Sequence, residues 1–207
     1  MRTAPTRAER RAQTRAELTD AAERLFSDQG FHATSLDAVA DAAGYTKGAV
    51  YSNFSSKEDL FFAVYERRVE RSEPDVRGAF AAAASAKDAV LEVARSAARR
   101  RGRDDGWLAV FLEFWTHVLR HPEHRARFAA IHARAVDPYV AAFERHAAET
   151  GLRLPYDARK LAVAGYALGT GLGLEQLTQP DVIDVEFAVA VQDLWLEAVR
   201  RGDGSRL

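Results

Sequence analysis

Apolar side chains recur at the spacing of an α-helix in the first part of the chain. The first predicted helix covers about residues 10–29, and Gly30 is expected to end it. Its buried face consists of four side chains at positions i, i+4, i+7 and i+8: Leu18, Ala22, Leu25 and Phe26.

Two shorter amphipathic runs follow, separated by Gly44. The first carries Leu36, Val39, Ala40 and Ala43, and the second carries Val50, Tyr51 and Phe54. Thr34 precedes Asp37 at the spacing of a capping box, and Thr46 is a typical N-cap. Glycine adopts a positive φ without steric cost, so the pattern predicts helix, tight turn and helix. Such a motif presents a short helix to the major groove of DNA.

The remaining pattern is helical, with no strand signal. A fourth helix opens at Ser56 and is expected to end near Ser72, with Pro74 closing the unit. Five further helices are predicted at Ala79–Arg101 with a break near Ser85, Trp107–Arg120, 122–150 with a kink at Pro138, Asp157–Leu177 and Val185–Arg200. We therefore predict an all-α protein of about nine helices. Its parts are a basic arm (1–13), a DNA-binding domain (14–74, motif 35–54) and a C-terminal helical bundle (75–207).

Composition limits the class of protein. The 207 residues are 47% hydrophobic and include no cysteine. This composition allows a sizeable core, excludes disulfides and thiolate metal sites, and fits a reducing cytosol. No signal peptide is recognised, and the longest nearly apolar run, Leu161–Leu174, is shorter than the roughly 20 residues of a membrane span. A soluble, cytoplasmic protein that does not bind membranes is expected.

Charge is unevenly distributed, although the net charge is −1. Lys47 and Lys57 flank the second helix of the motif. Five arginines precede residue 16 against Glu9 alone: Arg2, Arg7, Arg10, Arg11 and Arg15. Local basic groups of this kind neutralise a few phosphates, whereas the overall balance argues against a protein that coats nucleic acid regardless of sequence.

The motif resembles that of the TetR family of bacterial transcriptional regulators over about residues 10–65. The matching segments are Thr34-Ser35-Leu36, Val39-Ala40, Ala43-Gly44, TKGAVYSNF at 46–54 and SKEDL at 56–60. Tyr45 departs from the family, in which an aliphatic residue is more usual. The resemblance implies an all-α homodimer that is not an enzyme. It implies a C-terminal domain for a small effector, although no motif here names that ligand.

The resemblance also suggests roles in binding operator DNA. Thr46 and Lys47 would begin the recognition helix at the base edges, and Lys can donate to guanine. The small residues Gly48 and Ala49 would allow close entry into the groove. Phosphate contacts are expected from five further residues: Ser35, Tyr51, Ser52, Asn53 and Lys57. Val50 and Phe54 are expected in the core.

An effector pocket is predicted between the fifth to eighth helices, for an apolar or aromatic molecule. Its candidate lining residues are Trp107, Phe111, Phe114, Trp115, His132, Tyr139, Tyr166 and Thr170. Ordinary core packing is the competing interpretation for each aromatic residue. Glu113 is expected to face solvent.

Three glycines repeat every four residues in the eighth helix, at Gly165, Gly169 and Gly173. Glycine costs roughly 1 kcal/mol against Ala inside a helix, so close approach of another backbone is expected, most simply across a dimer twofold. The last helix would complete this interface through Phe187, Val191, Leu194 and Trp195. The operator would then be a near-palindrome.

Other chemistry finds less support in the sequence. His117, His121 and His124 have metal-like spacing, but Pro122 breaks the helix between them, so no metal is expected. No cofactor is expected either. The function that we predict is a ligand-responsive regulator, a repressor by expectation. The alternatives are a DNA-binding regulator controlled by a protein partner and a helical enzyme, for which no nucleophile–base pair or phosphate loop is found.

Overall fold

The structure is a computed structural model that describes residues 6–83, 85–101 and 106–201. Over these residues the chain forms nine α-helices, one 3-10 helix and no strand, which confirms the all-α prediction. The helices are α1 (Arg7–Ala33), α2 (Leu36–Ala43), α3 (Lys47–Asn53), α4 (Lys57–Ala82), α5 (Ala86–Arg101), α6 (Trp107–Arg120), the 3-10 helix η1 (Pro122–His124), α7 (Arg125–Thr150), α8 (Ala158–Thr178) and α9 (Val185–Arg200).

The chain divides into two compact units that differ from the predicted domains. The first unit contains the chain up to Arg68 together with Gly106–Phe128, and the second contains the rest of the described chain. Helix α6 therefore belongs to the first unit and not to the C-terminal bundle. Pro74 lies inside α4 and does not end it.

The expected basic arm is also helical where it is described. Helix α1 begins at Arg7, because the Thr6 hydroxyl accepts from Glu9 N–H while the Glu9 carboxylate accepts from Thr6 N–H. This capping box satisfies backbone donors at the start of the helix. Arg2 lies outside the described residues.

Aromatic rings fill the core of the first unit. Phe114 of α6 is fully buried, and its ring stacks on Phe61 with the centroids 3.9 Å apart. Phe31 and Phe62 meet the Phe114 ring edge-on, each at a centroid distance of 5.0 Å. The burial of these rings joins α1, α4 and α6.

The second unit has an aliphatic core formed by α5, α7, α8 and α9. Val136, Leu161 and Leu196 are among its buried side chains. At its edge, Lys87 of α5 forms ion pairs with Asp193 and Glu197 of α9, at 2.6 and 2.7 Å. The two carboxylates raise the pKa of Lys87.

The glycine stripe of α8 has a partner within the same chain, and the dimer contact expected of these glycines stays a prediction. A β-carbon on Gly165 would lie 2.9 Å from Cζ3 of Trp195, and one on Gly169 would lie 2.7 Å from Nε2 of Gln192. Both partners are side chains of α9. The glycines therefore allow α9 to pack closely on α8, and neither a second backbone nor a second subunit is needed to explain Gly165 and Gly169. Gly173 is buried.

None of the helices among the described residues is both long and apolar enough to cross a membrane.

Candidate nucleic-acid interface

Helices α2 and α3 are joined by a tight turn at Gly44. This glycine has φ 71° and ψ 27°, the left-handed conformation that ends a helix, and its N–H bonds to carbonyls of α2. Each helix starts at a capping hydroxyl. Ser35 accepts from Ala38 N–H at 3.1 Å, and Thr46 accepts from Ala49 N–H at 3.3 Å. The local sequence thus specifies both helices and the turn.

Helix α3 has one buried and one exposed face. Val50 and the adjoining Phe54 are buried, as are Val39 and Ala40 of α2, and this agrees with the prediction that Val50 and Phe54 lie in the core. Away from these two buried side chains, Tyr51 is 59% exposed and the Lys47 side chain is 63% exposed. Gly48 is also exposed and Ala49 is half-buried. A rigid helix with one uncovered polar face is the geometry that enters a major groove.

Two arginines of α1 hold the C-terminal end of α3, and the sequence analysis did not assign them this role. Arg11 donates to the Ser52 carbonyl at 3.3 Å, and Arg15 donates to the Asn53 carbonyl. The Arg15 guanidinium also lies 4.1 Å from the centroid of the Phe54 ring. Carbonyls at a helix C-terminus lack partners inside the helix, so these cations stabilise α3 and fix its position.

Tyr45, the residue that departs from the family pattern, ties the turn to α1. Its hydroxyl donates to the Glu17 carboxylate at 2.6 Å. This bond, followed by one from Gln13, lowers the pKa of Glu17. The tyrosine thus makes a hydrogen bond that an aliphatic residue could not.

Several predicted contact residues already have partners within the chain. The Lys47 ammonium pairs with Asp37, which raises the pKa of Lys47. The Ser52 hydroxyl donates to the Ala49 carbonyl at 2.9 Å, and the Asn53 amide donates to the same carbonyl at 2.8 Å. The expected DNA contacts of these three residues stay predictions.

Lys57 also makes intramolecular contacts. Its ammonium donates to the carbonyls of Phe31 and His32, at 2.9 and 3.0 Å, and lies 4.6 Å from the centroid of the Phe31 ring. Burial lowers the pKa of Lys57, against the opposing charges of Glu58 and Glu113. Two of the three N–H donors are thus used inside the first unit, which leaves one for a phosphate.

Comparison with known proteins agrees with this geometry. The sequence model described as bacterial regulatory proteins of the tetR family matches residues 18–64, which span α2 and α3. A second model, described as the C-terminal part of BetI-type transcriptional repressors, matches residues 86–201, more than half of the chain. The chain belongs to the TetR family. As such it is a transcriptional regulator and not an enzyme.

TetR-family relatives match along most of the chain. The transcriptional regulator BetI of Rhizobium meliloti is 28% identical over 190 residues, covering 90% of this chain and 89% of that protein. The transcriptional activator FasR of Mycolicibacterium smegmatis is 28% identical over 199 residues, covering 89% of this chain and 83% of that protein. A Saccharomonospora viridis regulator in complex with choline has a similar fold, with a TM-score of 0.72 and 21% identity. The match covers 90% of this chain and 96% of that chain.

The residues predicted to line an effector pocket fall into two groups in this TetR-family fold. Trp107, Phe111, Phe114 and Trp115 belong to the aromatic packing of the first unit, in line with the competing core interpretation. In the second unit, His132 meets Tyr166 edge-on at 5.0 Å, and Tyr139 meets Tyr166 at 6.3 Å. Thr170 donates to the Tyr166 carbonyl at 3.0 Å. Burial lowers the pKa of His132.

A different apolar cleft opens in the second unit. Val90, Phe143, Leu154 and Leu196 contribute to its walls, and none of the predicted pocket residues lines it. Its volume is about 40 Å³. Ligand sites usually have roughly 300–1,000 Å³, so the cleft would have to widen to hold an effector.

The predicted dimer residues separate into packed and exposed side chains. The Trp195 ring meets Phe143 edge-on at 5.9 Å within the second unit, and Val191 is half-buried. By contrast, Phe187 is 49% exposed and Leu194 is 70% exposed. These two residues are seven positions apart and therefore share one face of α9.

The histidines near Pro122 lie closer together than the sequence suggested. The 3-10 helix η1 turns the chain back, so the rings of His117 and His124 have centroids 5.8 Å apart. Pro122 ends α6, as predicted, but it does not separate the side chains of His117 and His124, so the break in the helix is no argument against a shared site. Glu58 of α4 joins them.

Proposed function

We propose that the protein is a homodimeric repressor that binds a near-palindromic operator and releases it when a small molecule binds. The observation that carries this proposal is the exposed face of α3, whose opposite face is fixed by Val50, Phe54, Arg11 and Arg15. A helix held in this way reads base edges without losing much conformational freedom on binding. We place the protein in the bacterial cytoplasm, where the DNA is.

Base contacts are assigned to the start of α3 and phosphate contacts to its exposed flank. Lys47 would leave Asp37 on binding, which costs little because both side chains are exposed and water screens their attraction. Lysine then donates to guanine in the major groove. The base-edge set is Thr46, Lys47, Gly48 and Ala49, and the phosphate set is Ser35, Tyr51, Ser52, Asn53 and Lys57.

We propose that the exposed apolar face of α9 pairs with the same face of a second copy. Phe187 and Leu194 are the side chains on which this rests. In an isologous contact both copies of each side chain are buried, one from each subunit. Large exposed apolar side chains on one face are typical of interfaces. A twofold dimer presents two recognition helices to successive turns of DNA, which accounts for a near-palindromic operator.

The effector is assigned to the second unit, where the rings of His132, Tyr139 and Tyr166 meet edge-on. The lowered pKa of His132 keeps its imidazole neutral at neutral pH, so it does not repel a cation. Perpendicular aromatic rings bind apolar molecules and also quaternary ammonium groups. The similar fold that contains choline makes that cation a candidate beside aromatic molecules.

Release requires an effector that binds one conformation better than the other. A ligand with equal affinity for both states changes no equilibrium, so the effector must prefer the state that fits DNA poorly.

The assignment as a repressor follows the description of the matched C-terminal model, whereas the relative FasR is an activator. A reporter gene placed downstream of the recovered operator distinguishes repression from activation.

The proposal is tested by selecting bound fragments from a random DNA pool with the full chain. We expect a near-palindrome from the parent, and an altered or lost sequence preference from Lys47→Ala. Lys160→Ala removes the same charge from the second unit and should recover the parental sequence. Tyr51→Phe should bind every recovered sequence more weakly by about 1 kcal/mol, the value of one hydrogen bond. No enrichment at low salt would overturn the DNA-binding assignment.

The effector site is tested separately, by calorimetric titration with choline and with a panel of aromatic molecules. Tyr166→Leu should abolish the binding seen with the parent. Tyr156 is a 47% exposed tyrosine elsewhere in the second unit, so Tyr156→Leu serves as the matched control. Equal loss in both variants would contradict the assigned site.

A further inference from the structure

Three side chains of the first unit bring metal-binding atoms together. Glu58 lies in the first turn of α4, His117 near the end of α6, and His124 on η1. One carboxylate oxygen and one nitrogen of each imidazole all lie within 4.8 Å of one another. Within the part of the chain that the structure describes, this is the group that has such spacing.

The site contains a buried donor atom that is not otherwise used. Among the described residues, Nε2 of His117 is buried and has no hydrogen-bond partner. The nearest acidic atom, Oε1 of Glu58, is 3.5 Å away. A buried polar atom without a partner is costly because its desolvation is not compensated, so its presence calls for a ligand or another explanation.

The distances fit a tetrahedral ion after a small movement. Two ligand atoms that each lie about 2.1 Å from a tetrahedral ion are about 3.4 Å apart, which is close to the spacing of Glu58 and His117. His124 has to approach by at most about 1.4 Å from the 4.8 Å limit. Its half-buried side chain lies on a three-residue helix, where a rotation of the side chain provides such a shift.

We propose that Glu58, His117 and His124 form a binding site for a divalent transition-metal ion of the zinc class, with water as the fourth ligand. Two imidazoles and one carboxylate are a known donor set for zinc, and imidazole favours Zn²⁺, Ni²⁺ or Cu²⁺ over Mg²⁺ and Ca²⁺. The ion would link the start of α4 to the end of α6. It would add two positive charges to the unit that carries α3, independently of the effector site.

The experiment is a titration of the chelator-treated full chain with Zn²⁺, using a competing chromophoric chelator. We expect His117→Gln, His124→Gln and Glu58→Gln each to weaken zinc binding by more than about tenfold. Even the mutation of a residue that only hydrogen-bonds to a metal ligand typically lowers metal affinity by about 10–100-fold. His146→Gln, in the second unit, should bind as the parent does. Circular dichroism identifies any variant that does not fold, and His124→Gln is the variant least expected to perturb the core.

Two further measurements decide the ligand set. Co²⁺ bound in place of Zn²⁺ should give the visible absorption of a tetrahedral complex in the parent and not in His124→Gln. Zn²⁺ should raise the Tm of the parent and leave that of His124→Gln unchanged, because only binding to the folded state stabilises it. Parental affinity in both histidine variants would overturn the proposal. Loss confined to His121→Gln would overturn it as well.

Discussion

The carboxylate of Glu113 on α6 accepts a 2.8 Å hydrogen bond from the backbone N–H of Phe31, just after the kink that Gly30 makes in α1. The same oxygen accepts from His32 N–H at 3.3 Å. Glu113 was expected to face solvent. It instead accepts from two backbone donors beside the non-helical Gly30 in α1.

Gly30 should be much less tolerant of substitution than Gly44. It has φ 84° and ψ 168°, a region essentially restricted to glycine, and a β-carbon there would lie 2.6 Å from Oε1 of Glu113. We expect Gly30→Ala to lower the free energy of unfolding by about 2–4 kcal/mol, from backbone strain and the displaced carboxylate.

Gly44→Ala is the matched control for this prediction. Gly44 also has a positive φ of 71°, but no atom lies within 4 Å of an added β-carbon. The left-handed conformation alone costs about 1–2 kcal/mol. Urea unfolding of both variants measures the difference, and equal losses would show that the Glu113 contact contributes nothing.

Arg15→Gln should loosen α3 without removing any atom of that helix. The arginine donates to the Asn53 carbonyl and lies over the Phe54 ring. We expect a loss of about 1–2 kcal/mol in unfolding free energy and weaker binding to all DNA sequences. Arg24→Gln removes the same charge from an exposed position of α1 and should change stability by less than about 0.5 kcal/mol. Indistinguishable variants would argue against a role for Arg15 in positioning α3.

Leu194→Glu should dissociate the proposed dimer. Removing a leucine from an interface costs about 1.5–3 kcal/mol, and a twofold dimer loses it twice, so the dimer Kd should rise by at least about a hundredfold. Leu119→Glu introduces the same charge at a leucine that is 58% exposed in the first unit. Sedimentation equilibrium should show the parental mass for this control. A dimer that persists in Leu194→Glu would exclude this face of α9.

His132 should make stability depend on pH. Burial lowers its pKa below the ordinary value of 6.5, so the unfolded chain takes up this proton at a higher pH than the folded chain. The contribution of His132 is therefore complete above 6.5 and is lost as the pH falls from there through the folded pKa. We expect His132→Gln to flatten the unfolding free energy between about pH 7.5 and 5, compared with His146→Gln. An equal dependence of unfolding free energy on pH in His132→Gln and His146→Gln would contradict this prediction.

Local pattern was sufficient for elements whose stabilising groups are neighbours in the sequence. Helix α9 begins and ends where the apolar spacing predicted, and Asp184 caps it. Gly44 and Thr46 defined the turn and the start of α3 in the same way. Pro122 ends α6 as predicted, whereas Pro74 was misjudged, because whether a proline ends a helix or is tolerated depends on what packs around it.

The sequence by itself determined the helices, the turn motif and the family, because caps, glycines and apolar periodicity act over a few residues. Only the tertiary structure decided the partners of side chains that are distant in sequence. Glu113 contacts Phe31, Arg15 contacts Asn53, and the glycines of α8 accommodate α9 of the same chain. Such contacts depend on how whole helices pack, and packing depends on burial summed over many residues, which no local pattern contains.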